Sequence, residues 1–435
     1  MKKLIALLLA GVLIAGMSVM LCGCQQPEEK AKVYYLNPYP EADDTWQALA
    51  AQYTEDTGVE VKIVTTASGS YQDVLSKELQ KDAPPTLFQC DTEQELETWS
   101  DYCLDFTGTD VLAEMTTEDF NLVDSNGAVK AIAYCYEAFG IIVNKDLLDQ
   151  AGYEIEEITD FASLKAIVED IHSRAGELGF DAFAPMGLDV DFAYTFSGDL
   201  ANAPTYYRLA NIPLYYEFRD RNITGQPASI EGTYLSAYKN IWDLYLNNCA
   251  PVDAEPRAVG SNMVPHEFAQ GKAVFWHQGT WAYKNLEDTL DTDDLQMIPV
   301  YCGVDAEENA ALCCGTESRW AVNAKARDVD VQATLEFLKW VVSADVSTTM
   351  LAQHFGSIPF KAAQEPENVF CADANRLIAE GKYVVTWNLR YAPKAEQWKA
   401  GIATALIDYR AGNGEWSAVE TAFVDGWAMQ YEKQE

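Results

Sequence analysis

Between Val33 and Ile63 the hydrophobic pattern changes period twice, and this alternation restricts the fold more than any other feature of the chain. Val33-Tyr-Tyr-Leu36 is a short apolar run of strand character. Trp46, Leu49, Ala50 and Tyr53 then fall at i, i+3, i+4 and i+7 behind Asp44, which is one face of a helix. Gly58 stops that helix, and Val59, Val61 and Ile63 alternate as a second strand. Strand, helix and strand within about 35 residues is the pattern of a parallel α/β sheet. It recurs. Tyr71–Leu79 reads as helix, Thr86–Cys90 as strand, and Ile141–Val143 as strand with a helix after it. Leu164, Ile167, Val168 and Ile171 form another amphipathic face that ends near Gly179. Trp320–Val322 reads as strand, Val331–Val342 as helix, and Gln397–Trp427 as helix broken at Gly412-Asn-Gly414.

At 435 residues the chain has room for two to three domains. No internal repeat, low-complexity tract or long linker separates them, so the domains are expected to be interwoven. With 49% hydrophobic and 12% aromatic residues the chain builds a large core despite a formal charge of −37. That charge repels nucleic acid and anionic headgroups, which excludes nucleic-acid binding.

Lys2-Lys3, the apolar run Leu4–Leu21 and the small residues that close it have the layout of an export signal. Leu21-Cys-Gly-Cys24 resembles the end of a bacterial lipoprotein signal, with Cys22 where Ala or Ser is usual. The resemblance implies cleavage after Gly23, a lipid on Cys24, a tether over 24–32 and a body on the extracytoplasmic face of the cell membrane. The alternative is an uncleaved anchor, since a run of 18 apolar residues can just span a bilayer. Gly11, Gly16 and Ser18 dilute the run, and the polar tether follows at once. Lys2 and Lys3 leave with the signal, which takes the charge from −37 to −39.

The eight later cysteines, Cys90, Cys103, Cys135, Cys249, Cys302, Cys313, Cys314 and Cys371, have scattered spacing. They read as mostly free thiols. Catalytic patterns are missing: His266-Glu267 has Gln270 where a zinc-binding pair needs a second histidine. There is no Gly-x-Ser-x-Gly elbow, phosphate loop or CxxC pair, so no cofactor or metal is expected. Carboxylate pairs for glycoside hydrolysis are not excluded by counting in so acidic a chain.

Three segments together resemble the extracellular solute-binding proteins of family 1, the maltose-binding type that serves ABC importers. They are Tyr136-Glu-Ala-Phe-Gly-Ile-Ile-Val-Asn-Lys-Asp-Leu-Leu148 with Ala151-Gly152, Phe268-Ala-Gln-Gly-Lys-Ala-Val-Phe-Trp-His-Gln-Gly-Thr-Trp281, and Trp320 through Glu336-Phe-Leu-Lys-Trp340 to Gly356-Ser-Ile-Pro359. The resemblance implies an α/β fold of the periplasmic-binding-protein type II (Venus-flytrap) kind, with interwoven lobes joined by a hinge. It places the N-terminal lobe at 33–136 and 299–342 and the C-terminal lobe at 140–297 and 346–435. It also implies a non-catalytic carbohydrate-binding lipoprotein with ABC permease subunits as partners. The rival readings are a polyamine or other small-solute binder and a surface glycoside hydrolase.

A sugar offers apolar C–H faces and a rim of hydroxyls, so it suits flat aromatics with carboxylates and amides around them. By the resemblance Trp281 is the cleft tryptophan and Glu137 a sugar-binding glutamate. Asp91 follows Leu87-Phe-Gln-Cys90, where the family places acidic ligands, and Asn37 and Tyr39 leave the first strand. Trp398 resembles another stacking aromatic, and Trp387, Asn388 and Arg390 lie in the loop before it. Asp189 and Asp191 fall in a second-lobe loop.

Overall fold

The computed structural model describes residues 30–67, 69–184, 205–250, 266–287 and 290–433. Twelve strands occur among them. β1 (Lys32–Asn37), β2 (Glu60–Thr65), β3 (Leu87–Gln89), β4 (Leu122–Val123) and β5 (Val129–Ala133) come first. β6 (Glu137–Asn144), β7 (Asp181–Phe183), β8 (Ala273–Gly279), β9 (Leu295–Ile298) and β10 (Ala310–Gly315) follow, then β11 (Arg319–Val322) and β12 (Tyr383–Thr386). They form two sheets, ordered β2-β1-β3-β11-β5-β4 and β12-β10-β6-β8-β7, with β9 also paired to β6. Each sheet is the centre of one lobe.

The opening unit forms as its periodicity predicts. Helix Asp43–Thr57 buries Trp46, Leu49, Ala50 and Tyr53 and ends at Gly58, and β1 and β2 pair in parallel from Lys32↔Glu60 to Asn37↔Thr65. Trp46 anchors the first core, edge-on to Tyr35, Tyr134 and Trp320 at 5.2, 5.6 and 5.8 Å. Such aromatic contacts add to the burial of the rings themselves. In the second lobe the Asn-Lys-Asp-Leu run has a local cause. β6 is buried from Ala138 onward, and Asn144 at its end caps helix Lys145–Gln150 by accepting from the Leu147 amide at 3.0 Å. Helices Ala395–Arg410 and Trp416–Glu432 pair across the Gly412 break.

The chain crosses between lobes at 134–136, 316–318 and 356–368, and these crossings bond to one another. Tyr134 N donates to Ser318 O at 3.2 Å, and Tyr136 N to Ser357 O at 3.0 Å. Thr116 N donates to Pro359 O at 2.9 Å. The lobe limits differ from those expected. β10 pairs with β6 and β12, so the return to the first sheet falls after Gly315 rather than at 299. Helix Asp345–Phe355 stays with the first lobe, where Leu351 joins its core, so the final crossing follows this helix, within 356–368, rather than at 346. An apolar strand is compatible with either sheet by its pattern, and only pairing partners give it an address.

The eight cysteines from Cys90 onward are free thiols, and all but Cys249 are buried. No helix among the described residues is long and apolar enough to cross a membrane. Cys24 and its leader lie outside the described residues.

Candidate functional site

In the first sheet β1 connects to β2 on one side while β3 lies on the other, so the chain reverses direction of winding beside the ends of β1 and β3. Open α/β sheets take ligands at such switch points. Two expected residues meet there, Tyr39 after β1 and Asp91 after β3. Tyr39 donates its hydroxyl to the Glu317 carbonyl in the hinge, and burial together with neighbouring Asp91 pushes its phenol up. Asn37 is a correction. It is fully buried, and its amide is committed to Tyr39 O at 2.8 Å and Thr65 Oγ1 at 3.0 Å, so it holds the Tyr39 turn rather than facing the cleft.

Asp91 Oδ1 accepts from the Arg319 amide at 2.7 Å, and the Asp91 carbonyl accepts from the Arg319 guanidinium at 2.5 Å. Gln89, oriented to satisfy its neighbours, donates to the Asp91 carboxylate at 3.0 and 3.2 Å and accepts from the Tyr35 and Tyr134 hydroxyls. Burial raises the Asp91 carboxyl well above its ordinary range, against the pull of Arg319. Arg319 is itself pushed down to about 10 by burial and by Arg390. Across from this group, Glu93 Oε1 accepts from the Tyr391 hydroxyl at 2.8 Å and pairs with Arg390 at 3.2 Å. Arg390 also donates to the Tyr391 hydroxyl at 2.9 Å. This triangle joins the first-lobe helix Glu93–Trp99 to the second lobe.

In the second lobe, the ends of β8, β10 and β12 lie at the edge where β6 begins. Gly279 pairs opposite Phe139, and Gly315 opposite Glu137. Each glycine carries an indole directly on its backbone. A Cβ at Gly279 would lie 2.2 Å from the Trp281 ring, and one at Gly315 2.2 Å from Trp387. Any side chain there would displace the ring. Trp281, half-buried, donates Nε1 to Gln278 Oε1 at 3.1 Å, and the Arg208 guanidinium lies 5.6 Å from its ring centroid. Trp387 is 6% exposed, stacks with Phe139 at 6.1 Å and donates to the Cys313 carbonyl at 3.1 Å, so it is the floor of this edge more than its surface. Half-buried Glu137 opens β6 opposite Gly315, on the strand that lies between β8 and β10. Asn388 is buried, its amide N–H held by Asn211 at 2.7 Å.

Trp398 is a second correction. It is 1% exposed, packs edge-on to Phe423 and Trp427 and donates to the Phe423 carbonyl at 2.8 Å. Packing between the last two helices takes it into the core, out of reach of a ligand. Asp189 and Asp191 lie outside the described residues. Sequence reasoning missed Arg208, Gln278, Glu93, Arg319 and Tyr391. Arg319 had a signal, a lone cation heading the apolar run Trp320-Ala-Val322, since a buried arginine needs partners. On β8, His277 is buried against Phe139, with neither ring nitrogen hydrogen-bonded among the described residues. Burial, with Arg208 nearby, pushes its pKa well down, so it is neutral. Among the described residues no group of His, Cys, Asp or Glu is arranged to hold a metal.

A sequence model described as bacterial extracellular solute-binding protein matches residues 48–376. No curated protein sequence matches the chain significantly. Among solved structures, the chain is similar to apo RafE from Streptococcus pneumoniae, at 15% identity and a TM-score of 0.67, covering 94% of this chain and 100% of that one. It is similar to a family 1 extracellular solute-binding protein from Bifidobacterium longum subsp. infantis, at 15% identity and a TM-score of 0.66, over 92% and 99% of the two chains. It is also similar to the GacH receptor of Streptomyces glaucescens, solved unliganded and with acarbose, at 18% identity and a TM-score of 0.55, over 93% and 99%.

Proposed function

The chain belongs to the bacterial extracellular solute-binding proteins, and from that membership we propose that it captures a carbohydrate, an oligosaccharide, between its lobes and delivers it to the permease of an ABC importer. The observation that carries this reading is the mixture of groups at the cleft. Trp281 presents an indole backed by Arg208 and clamped by Gln278, while Asp91, held by buried Arg319, and the Glu93, Arg390 and Tyr391 group supply donors and acceptors. Stacking on an apolar sugar face with mixed hydrogen bonding to its rim asks for this composition. A polyamine asks for carboxylates between facing rings, and three arginines beside them would oppose it. Acarbose on the structurally similar GacH points the same way.

The proposed ligand contacts are Trp281, Glu137, Asp91, Tyr39 and Arg390, with Trp387 as floor and Tyr391 added, while buried Arg208 and Arg319 support Trp281 and Asp91 from behind. A thermal-shift screen of mono- and oligosaccharides beside polyamines tests the class. A ligand at about a hundred times its dissociation constant adds roughly 2.7 kcal/mol of stability. A transition moved by a polyamine and by no saccharide would reverse the reading. We further propose that the protein is a lipoprotein held at the membrane by Cys24. Cys24→Ala should then free it from the membrane fraction, because an acidic body gives no adhesion of its own; retention through a high-salt wash would remove the assignment.

A further inference from the structure

Gln89 interrupts the apolar run Leu87-Phe-Gln-Cys90 and is fully buried at the end of β3. A buried amide is costly unless its donors and its acceptor are used. One orientation uses them all. Nε2 donates to Asp91 Oδ2 and Oδ1 at 3.0 and 3.2 Å, while Oε1 accepts from the Tyr134 and Tyr35 hydroxyls at 2.7 and 2.9 Å. Turned the other way, the amide oxygen would face the carboxylate, acceptor against acceptor. Both tyrosines are anchored. Tyr134 stacks on Trp320 at 4.5 Å and meets Trp46 edge-on, as does Tyr35. The main chain is fixed as well: Gln89 N donates to the Tyr71 hydroxyl at 2.6 Å, and Asp91 N to Glu95 Oε2 at 2.7 Å.

A carboxylate offers about four acceptor positions. On half-buried Asp91, Gln89 fills two of them and the Arg319 amide fills a third, on Oδ1 at 2.7 Å. Oδ2 keeps one for a ligand hydroxyl. Burial acts most on this carboxyl and raises it; Arg319 opposes the rise, and Glu95 and Glu317 add to it. The phenols of Tyr35, Tyr39 and Tyr71 and the thiols of Cys90 and Cys135 also face it. Donors from Gln89 favour the ionised form. A methionine at 89 would fill the core and leave the carboxylate free to turn.

We propose that Gln89 is the positioning residue of the ligand site: braced on Tyr35 and Tyr134, its amide holds the Asp91 carboxylate in the one orientation that leaves Oδ2 open to the ligand. The proposal rests on the carbohydrate reading for its ligand, but the hold on Asp91 is measurable in the empty protein. Carbon-13 NMR of the Asp91 carboxyl in the ligand-free mature chain, assigned with Asp91→Asn, reads it directly. Gln89→Met should raise the proton affinity of that carboxyl about tenfold or more. Gln89→Glu keeps an acceptor for both tyrosine hydroxyls, so it serves if the methionine variant fails to fold. Its carboxyl can donate a proton to Asp91 at about pH 5 and repels Asp91 once both ionise, by about pH 8. Calorimetry with a neutral probe, raffinose or maltotriose, should then show affinity falling about tenfold or more across that range in Gln89→Glu, with no fall in wild type. A proton affinity unchanged in Gln89→Met, or the same pH dependence in Gln89→Glu as in wild type, overturns the proposal. If wild type binds neither probe while Gln89→Met shifts the Asp91 titration, the carbohydrate reading loses its support and the hold on Asp91 stands.

Discussion

Trp281 and Trp398 carry the same side chain in opposite surroundings. Trp281 is half-exposed on a glycine platform, so Trp281→Ala should leave the empty protein close to its normal melting temperature. Its affinity for the proposed cleft saccharide should fall by about thirty- to a thousand-fold, the equivalent of about 2–4 kcal/mol at a binding hot spot. Trp398→Ala opens a cavity among Phe423 and Trp427 and should cost about 3–5 kcal/mol of stability. Affinity measured at low temperature should stay near normal. Calorimetry with melting curves on both variants separates the roles, and a Trp281→Ala protein that melts early yet binds normally would put that residue in the core. His277 supplies a pH test. Its folded pKa lies below its ordinary 6.5, so the unfolded chain binds the extra proton and stability is lost as pH falls below about 6.5. His277→Leu should flatten this part of the stability curve, and an unchanged slope in pH-dependent melting would mean that His277 is not held neutral.

At the scale of elements, the site edge is made by strand ends rather than by a loop of its own. β8 and β10 both finish on glycine, and each glycine lets an indole from a following segment lie flat on the backbone. Gly279→Ala is therefore expected to move the Trp281 ring without deleting it. A Cβ placed 2.2 Å from the ring has to be relieved by rotation of the indole away from Gln278. Saccharide affinity should fall in the same direction as for Trp281→Ala, by about tenfold or more. Indole fluorescence should shift at the same time. Normal affinity in Gly279→Ala would show that the platform does not set the ring. The flanking β6 run explains why this element is legible in the sequence: Asn144 must cap the next helix, so strand end and helix start are written in adjacent residues.

For the whole molecule, the question is how the lobes are held when the cleft is empty. The Glu93–Arg390–Tyr391 triangle ties them directly, with Glu93 35% and Arg390 26% exposed at their side chains. A half-exposed ion pair with one charge-assisted hydrogen bond is worth about 1–2 kcal/mol, roughly a tenfold bias between lobe arrangements. Glu93→Ala should thus enlarge the ligand-free radius of gyration in small-angle scattering, and saturating ligand should bring it back. Equal radii for wild type and Glu93→Ala without ligand would show that the triangle does not hold the lobes.

What the sequence determined by itself is the local alphabet of this molecule. The strand–helix–strand opening, the Asn144 cap and the paired helices at the end follow from short-range periodicity and capping, which depend on residues only a few positions apart. The motif order was enough to resemble a two-lobed binding protein and to bring Tyr39, Asp91, Glu137 and Trp281 into view. Tertiary structure alone decided which sheet received β10, which lobe kept helix Asp345–Phe355, and that Asn37 and Trp398 turn inward while buried Arg208 and Arg319 back Trp281 and Asp91. Those outcomes depend on pairing and packing between residues far apart in the chain. Arg319 meets Asp91 228 positions away, and Tyr391 meets Glu93 298 away. No local pattern encodes such distances, because the free energy that selects them is gained only when the first sheet, for Arg319 and Asp91, or both lobes, for Tyr391 and Glu93, have formed.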